Sequence, residues 1–215
     1  MKKMLVTGAS RGIGKACVNY FKNTYDIIST ARTGDVTIKG DLTNLDFRNE
    51  LLSLDIDILI NNAEIISNDF LETYNLNVIA AGHLMVGFYN KMNNGSIINM
   101  SSCSEDSKSW KNIEDRRLFY MTSKHCLSHL GLTLQESNKK NVKITNLEPD
   151  WTNTTFNNNS IYMINEKEYT NQQLPKIPFN TDQITRTIEW ILNQQSNIVI
   201  TTLEMKNFQI NKSNV

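Results

Sequence analysis

The stretch "LVTGASRGIG", Leu5 to Gly14, places Gly8, Gly12 and Gly14 within seven positions, in a chain with nine glycines among 215 residues. The short apolar run before it, Lys3 to Thr7, reads as a buried strand. The segment after it, Ile13 to Asn23, carries apolar residues at helical spacing. The glycines therefore occupy a strand-to-helix turn. Such a turn bends sharply and can bring backbone N–H groups close to an anion. Glycine permits both, and the helix N-terminus favours negative charge. The spacing is G-x-x-x-G-x-G, and the chain lacks the Gly-Lys-Ser/Thr ending of a Walker-type phosphate loop.

Beyond this turn, short apolar runs alternate with longer amphipathic ones. Strands are expected at Asp26 to Ala31, Val36 to Lys39, Asp55 to Ile60, Gly95 to Ser102, Asn141 to Leu147 and Asn197 to Leu203. Helices are expected at Leu45 to Ser53, Asn68 to Met92, Phe119 to Ser137 and Asp182 to Gln194. Apolar strands separated by helices indicate an α/β fold: a doubly wound, Rossmann-like parallel sheet of about seven strands, covered on both faces. No boundary divides the chain, so residues 1–208 read as one dinucleotide-binding and catalytic domain. Within it, 151–178 is a polar, irregular substrate loop, and 209–215 form a flexible tail.

Basic and acidic residues balance at 22 each, which argues against nucleic-acid or membrane-surface binding. No run approaches transmembrane length, and the apolar run after "MKK" stops too early for a secretory leader. Cys17, Cys103 and Cys126 are odd in number and lack metal-ligand spacing, which fits reduced thiols in the cytoplasm.

The second strand ends "STARTGD". Proteins of this architecture that bind NAD place an acid there for the ribose hydroxyls. Here Arg32 follows the strand, where a guanidinium can clamp a 2′-phosphate, and Arg11 in the glycine turn is a second clamp. The pair favours NADP(H) over NAD(H), with Asp35 close enough to keep the second open.

"YMTSK" sets Tyr120 and Lys124 four residues apart on one helical face. An ammonium beside a phenol stabilises the phenolate and lowers a pKa that starts near ~10. Such a tyrosine can protonate a reduced carbonyl or deprotonate an alcohol. "INMSS" ends a core strand just upstream and offers Ser102, or its neighbour Ser101, at the carboxyl edge of the sheet. "NNA", Asn61 to Ala63, ends the preceding strand.

Seven stretches occur in order: "TGASRGIG", "DLT" (Asp41 to Thr43), "NNA", "NLNV" (Asn75 to Val78), "INMSS", "YMTSK" and "NLEPDWTNT" (Asn146 to Thr154). This ordered set resembles the short-chain dehydrogenase/reductase family. The resemblance implies an oxidoreductase moving hydride between nicotinamide C4 and a carbonyl or alcohol, with Tyr120 as general acid/base. It implies that Lys124 lowers the pKa of Tyr120 and holds the nicotinamide ribose, that Ser102 orients the substrate, and that Asn77 positions a water. On the cofactor side it implies Gly8, Ser10, Arg11, Gly12, Ile13 and Gly14 at the phosphates and Asp41 and Leu42 at the adenine. Asn62 and Ala63 fall at the adenosine-side ribose or strand edge, and Thr154 at the carboxamide. It also implies pairing through the two long helices into a homodimer or homotetramer acting on a small-molecule substrate.

Three features depart from that pattern. Glu64 replaces the glycine of the usual "NNAG", and Asp150 replaces the glycine of the usual "PG". Both carboxylates are expected near an anionic cofactor unless Glu64 points away or one of them meets a cationic substrate. The segment between Ala63 and Asn77 is short, whereas Ser102 and Tyr120 are eighteen positions apart, with a charged excursion around Trp110 between them. The rival expectation is a cofactor-binding regulatory protein with little or no turnover. Trp110, Trp151, Phe156 and Tyr162 suggest a partly aromatic substrate mouth. No metal site is expected: His83 stands apart, and His125 and His129 lie one helical turn apart.

Overall fold

The structure, a computed structural model, describes residues 1–103, 115–137, 140–154, 156, 161–164, 167–170 and 178–207. The chain runs β1 (Lys3–Thr7), α1 (Gly12–Phe21), β2 (Asp26–Ala31), β3 (Ile38–Lys39), α2 (Leu45–Ser53) and β4 (Ile58–Asn61). Next come α3 (Phe70–Tyr74), a π-helical segment (Asn75–Ala80), α4 (Ala81–Lys91), β5 (Asn94–Met100), α5 (Asp115–Glu136) and β6 (Asn141–Pro149). A two-stranded antiparallel hairpin, β7 (Ile161–Ile164) and β8 (Lys167–Thr170), precedes α6 (Thr181–Leu192) and β9 (Thr202–Met205).

Seven strands form one sheet in the order β3-β2-β1-β4-β5-β6-β9, and every pairing in it is parallel. Alternation along each strand sends side chains to both faces. Leu5, Leu59, Ile97 and Ile144 join the apolar layer beneath α2, α4 and α5, with Leu84, Met85 and Phe88. Met4, Val6, Ile60 and Ile98 join the opposite layer, with Phe21 of α1 and Ile184 and Ile188 of α6. Each such burial is worth roughly 1.5–3 kcal/mol, which explains why the strands read as apolar throughout. The strand order reverses between β1 and β4, and the carboxyl ends of these strands open a crevice there.

Local signals set several boundaries. The Asn44 side chain caps α2 by accepting from the N–H groups of Asp46 and Phe47, and Asn180 and Gln183 form a reciprocal capping box at α6. β4 begins at Ile58, not Asp55, because the Asp57 carboxylate turns to accept from the N–H of Lys3 at 2.8 Å. The apolar run from Asn197 gives a strand only from Thr202. Ile198 and Val199 are exposed at the sheet edge, and pairing with β6 starts at Asn146 opposite Thr202. The loop expected at 151–178 contains the β7–β8 hairpin. The excursion around Trp110 lies outside the described residues, as do 208–215.

Candidate active site

The glycine turn is built as its composition requires. Gly8 and Gly12 adopt positive φ, 65° and 55°. A Cβ on Gly8 would sit 2.7 Å from the Ala63 Cα, so the close approach of the turn to the end of β4 also demands glycine there. Gly14 is a packing position: a side chain would meet the Gly8 carbonyl and Asn62. Arg11, the N-cap of α1, is extended and makes no side-chain capping bond, and the first turn carries no acid. The leading N–H groups of α1 therefore lack a side-chain cap of the kind that marks most helix starts.

A crevice of about 360 Å³ runs along this turn. At one end lie Arg32 and Thr33, just past β2, with Asp41 and Leu42. In the middle lie Ser10, Arg11, Gly12 and Ile13, and at the other end Glu64, Ile65, Thr154 and Phe156. Asp41 accepts from the N–H and hydroxyl of Thr43, at 2.9 and 2.8 Å. The Thr43 N–H, with help from its hydroxyl and the nearby Arg32 guanidinium, holds this carboxyl below its ordinary pKa. The Leu42 carbonyl accepts from buried Arg48 at 2.6 Å, which fixes the loop at this end. Asp35 is not part of the crevice wall.

Asn62 and Ala63 tie β4 to β1. Both backbone N–H groups donate to the Thr7 hydroxyl, at 2.9 and 3.0 Å, and the Asn62 amide donates to the Thr7 carbonyl at 2.9 Å. The Asn62 side chain is thus a strand-edge clasp that also borders the crevice.

At the far end Tyr120 and Lys124 come together. Lys124 is almost wholly buried, donates to the Met100 carbonyl at 2.7 Å, and lies 5.5 Å from the centre of the Tyr120 ring. Its second partner is Glu64, with which it forms an ion pair. Tyr120 donates its hydroxyl to the same Glu64 carboxylate oxygen at 3.0 Å. Glu64 therefore does not point away; it joins both groups. Phe156 packs against Tyr120, with ring centroids 5.9 Å apart. Ser101 donates to the Lys124 carbonyl at 3.3 Å and accepts from Ser128 at 2.8 Å, so it serves the packing of α5. Ser102 is buried just past β5 and does not line the crevice.

Asn77, in the π-helical segment, is fully engaged. It accepts from the Ile65 N–H and donates to the Ile65 carbonyl, both at 2.9 Å, and donates to the Ser123 hydroxyl at 3.0 Å. It thus pins the residue after Glu64 to α5. π-Turns within α-helices recur at functional sites, and this one carries the residue that anchors the backbone after Glu64.

The expectation for Asp150 needs correction. Its carboxylate accepts from the N–H groups of Trp151 and Asn207, at 2.8 and 3.3 Å, which turns it toward the chain after β9 and off the crevice wall. The expected phosphate, adenine and ribose-side residues line the crevice, apart from Gly14. Tyr120 and Lys124 stand behind Glu64. Glu72, Leu76 and Ile65 also line it and were not foreseen. They come from the short segment before Asn77, and no spacing rule announces that. Among the described residues no group of three or more His, Cys, Asp or Glu could hold a metal, and no helix is long and apolar enough to cross a membrane.

The family model described as short chain dehydrogenase matches residues 31–164, more than half of the chain. The chain belongs to the short chain dehydrogenase family. The glycine turn precedes the matched span. Solved structures share the fold across nearly the full length. The closed form of serine dehydrogenase complexed with NADP+ is 21% identical, with 94% of each chain covered and a TM-score of 0.77. A short chain dehydrogenase from Burkholderia cenocepacia in complex with NADP is 18% identical, with 96% of each covered and a TM-score of 0.77. A 4-hydroxyisoleucine dehydrogenase complexed with NADH is 23% identical, with 96% of this chain and 97% of that chain covered and a TM-score of 0.73. No curated protein matches the sequence.

The residues present fit a nicotinamide dinucleotide through most of the crevice. Uncapped N–H groups and Arg11 suit its diphosphate, Arg32 suits a 2′-phosphate, and the positive-φ glycines Gly8 and Gly12 let the turn take this course along the crevice.

Proposed function

We propose that this short chain dehydrogenase is an NADP(H)-dependent oxidoreductase of carbonyl and alcohol groups, with Tyr120 as its general acid/base. The observation that carries this reading is the convergence of Tyr120 and Lys124 behind Glu64, at one end of a crevice that Arg11 and Arg32 also line. Arg32 and Arg11 support NADP(H) over NAD(H). When bound, the nicotinamide supplies or accepts the hydride. Tyr120 Oη gives the carbonyl oxygen its proton as the carbon is reduced, and takes it back in the reverse direction. The Lys124 ammonium steadies the phenolate so formed. The Ser102 hydroxyl holds the substrate oxygen toward Tyr120, and Asn77 fixes the floor of this end.

The rival, a binding protein without turnover, is not favoured, because Tyr120, Lys124, Ser102 and Asn77 are all present. Exposed Phe70, Leu71, Ile79 and Leu118 on α3, the π-helical segment and α5 support assembly of copies through these helices. Cys17, Cys103 and Cys126, none of them in a disulfide, support a reducing, cytoplasmic setting.

The test is oxidation of NADPH and NADH against a panel of ketones, aldehydes, sugars and acyl thioesters. Tyr120→Phe should cut turnover by about 10²–10⁴-fold while leaving NADPH binding within a few-fold. Equal turnover by Tyr120→Phe would refute the assignment.

A further inference from the structure

The feature that the proposed reaction does not use is the carboxylate that joins its two central groups. Glu64 holds the buried Lys124 ammonium and accepts the Tyr120 proton through one oxygen, while its side chain is still 20% exposed on the crevice wall. In the described structure the acid–base pair is thus satisfied by the protein's own side chain.

We propose that Glu64 is a positioning residue that keeps the place of the cofactor's nicotinamide-side ribose on Lys124 and Tyr120, and yields it when the dinucleotide binds. The inference rests on the dinucleotide reading of the crevice. A dinucleotide anchored at the α1 N-terminus and Arg32 can run toward Glu64, because the crevice continues along Glu64 and Ile65. The part of that molecule next to the nicotinamide ring is a ribose. Its hydroxyls are the groups that can accept from an ammonium and a phenol in place of a carboxylate.

The exchange must be a side-chain rotation. Ala63 on one flank is tied to Thr7, and Ile65 on the other is held at both its N–H and its carbonyl by Asn77. The backbone at 64 is therefore fixed from both sides, whereas the side chain has three rotatable bonds and an open path into the crevice. The charged and titratable groups that touch it are Lys124 and Tyr120 from α5; Glu72 from α3, whose carboxylate accepts from Ser67 at 2.6 Å, lines the same crevice, as do Arg11, Arg32 and Asp41. Two acids therefore border the end that the far part of an anionic ligand must enter.

The cost to binding has two sources. A carboxylate about 8 Å from a phosphate repels it by an amount equivalent to about thirtyfold in affinity at an effective dielectric near 20. A site that is competent only with Glu64 rotated away also loses affinity in proportion to the rotated fraction.

Binding of NADPH and of adenosine 2′,5′-bisphosphate to wild type, Glu64→Gln and Glu64→Ala, by nicotinamide fluorescence and calorimetry, tests this. NADPH should bind Glu64→Ala about thirtyfold more tightly than wild type, with Glu64→Gln between. The bisphosphate keeps only the adenosine-side phosphate and needs no rotation of Glu64, so its gain in the variants should be clearly smaller than that of NADPH. Melting of the free variants should fall below wild type, because Lys124 loses its counterion, and saturating NADPH should close that gap. Unchanged or weaker NADPH binding by both variants, with bisphosphate binding intact, overturns the inference and leaves the dinucleotide site standing. Failure of wild type to bind either ligand overturns the dinucleotide reading and this inference with it.

Discussion

The two ends of the crevice are made differently. From the Arg32 end to the middle the protein presents what an anionic nucleotide needs and leaves it available: Arg32 on the wall, Asp41 turned onto Thr43, and Arg11 beside uncapped N–H groups. At the catalytic end it presents Lys124 and Tyr120 already joined to Glu64, with Glu72 nearby. One end is complementary to the ligand as it stands, and the other becomes so by exchanging a partner. The difference follows from burial. An exposed arginine is satisfied by water, whereas an ammonium as buried as that of Lys124 needs a protein or ligand counter-group at all times.

Substitutions at each end separate these behaviours. Lys124→Met should have the largest effect, with turnover falling by at least the ~10²-fold expected for an impaired acid–base group. Removing one partner of a buried pair costs about 3–5 kcal/mol. Because Glu64 can turn toward the crevice, the lower figure applies, and calorimetry should show melting lowered by about 6–12 °C. No loss of stability would mean that the pair does not bind the end together. Arg32→Ala comes next. Losing a charge-assisted contact of about 1.5–3 kcal/mol should weaken NADPH binding about 10–100-fold and leave NADH unchanged. An equal loss for both nucleotides would remove the case for 2′-phosphate recognition. Asn77→Ala should cost about 1–3 kcal/mol, by leaving the Ile65 N–H and carbonyl without partners. It should also free the backbone at Glu64, measurable as faster amide exchange at Ile65 with bisphosphate affinity unchanged.

Most of the sheet could be read from the chain because both of its faces are buried. β1, β2 and α2 fall where the apolar pattern puts them. The edge was harder to read. Ile198 and Val199 look like strand residues, but at the margin of a sheet β-propensity does not decide pairing. The hairpin within 151–178 carries no turn dipeptide of the Asn-Gly kind to announce it.

At the site, Gly8, Gly12, Tyr120 and Lys124 were legible because their chemistry depends on backbone geometry or helical spacing. Glu64 was legible only as an anomaly. A carboxylate in place of glycine signals a difference, but the direction in which it points is fixed by Thr7 and Asn77, which are distant in sequence. The fate of Asp150 was unreadable for the same reason: Asn207, 57 positions away, decides it.

The most direct test of the account is a crystal structure of the protein soaked with NADP+. The account predicts the 2′-phosphate at Arg32, the nicotinamide-side ribose on Lys124 and Tyr120, and the Glu64 carboxylate rotated off both. A nucleotide bound elsewhere, or bound in the crevice with Glu64 still paired to Lys124, would contradict it.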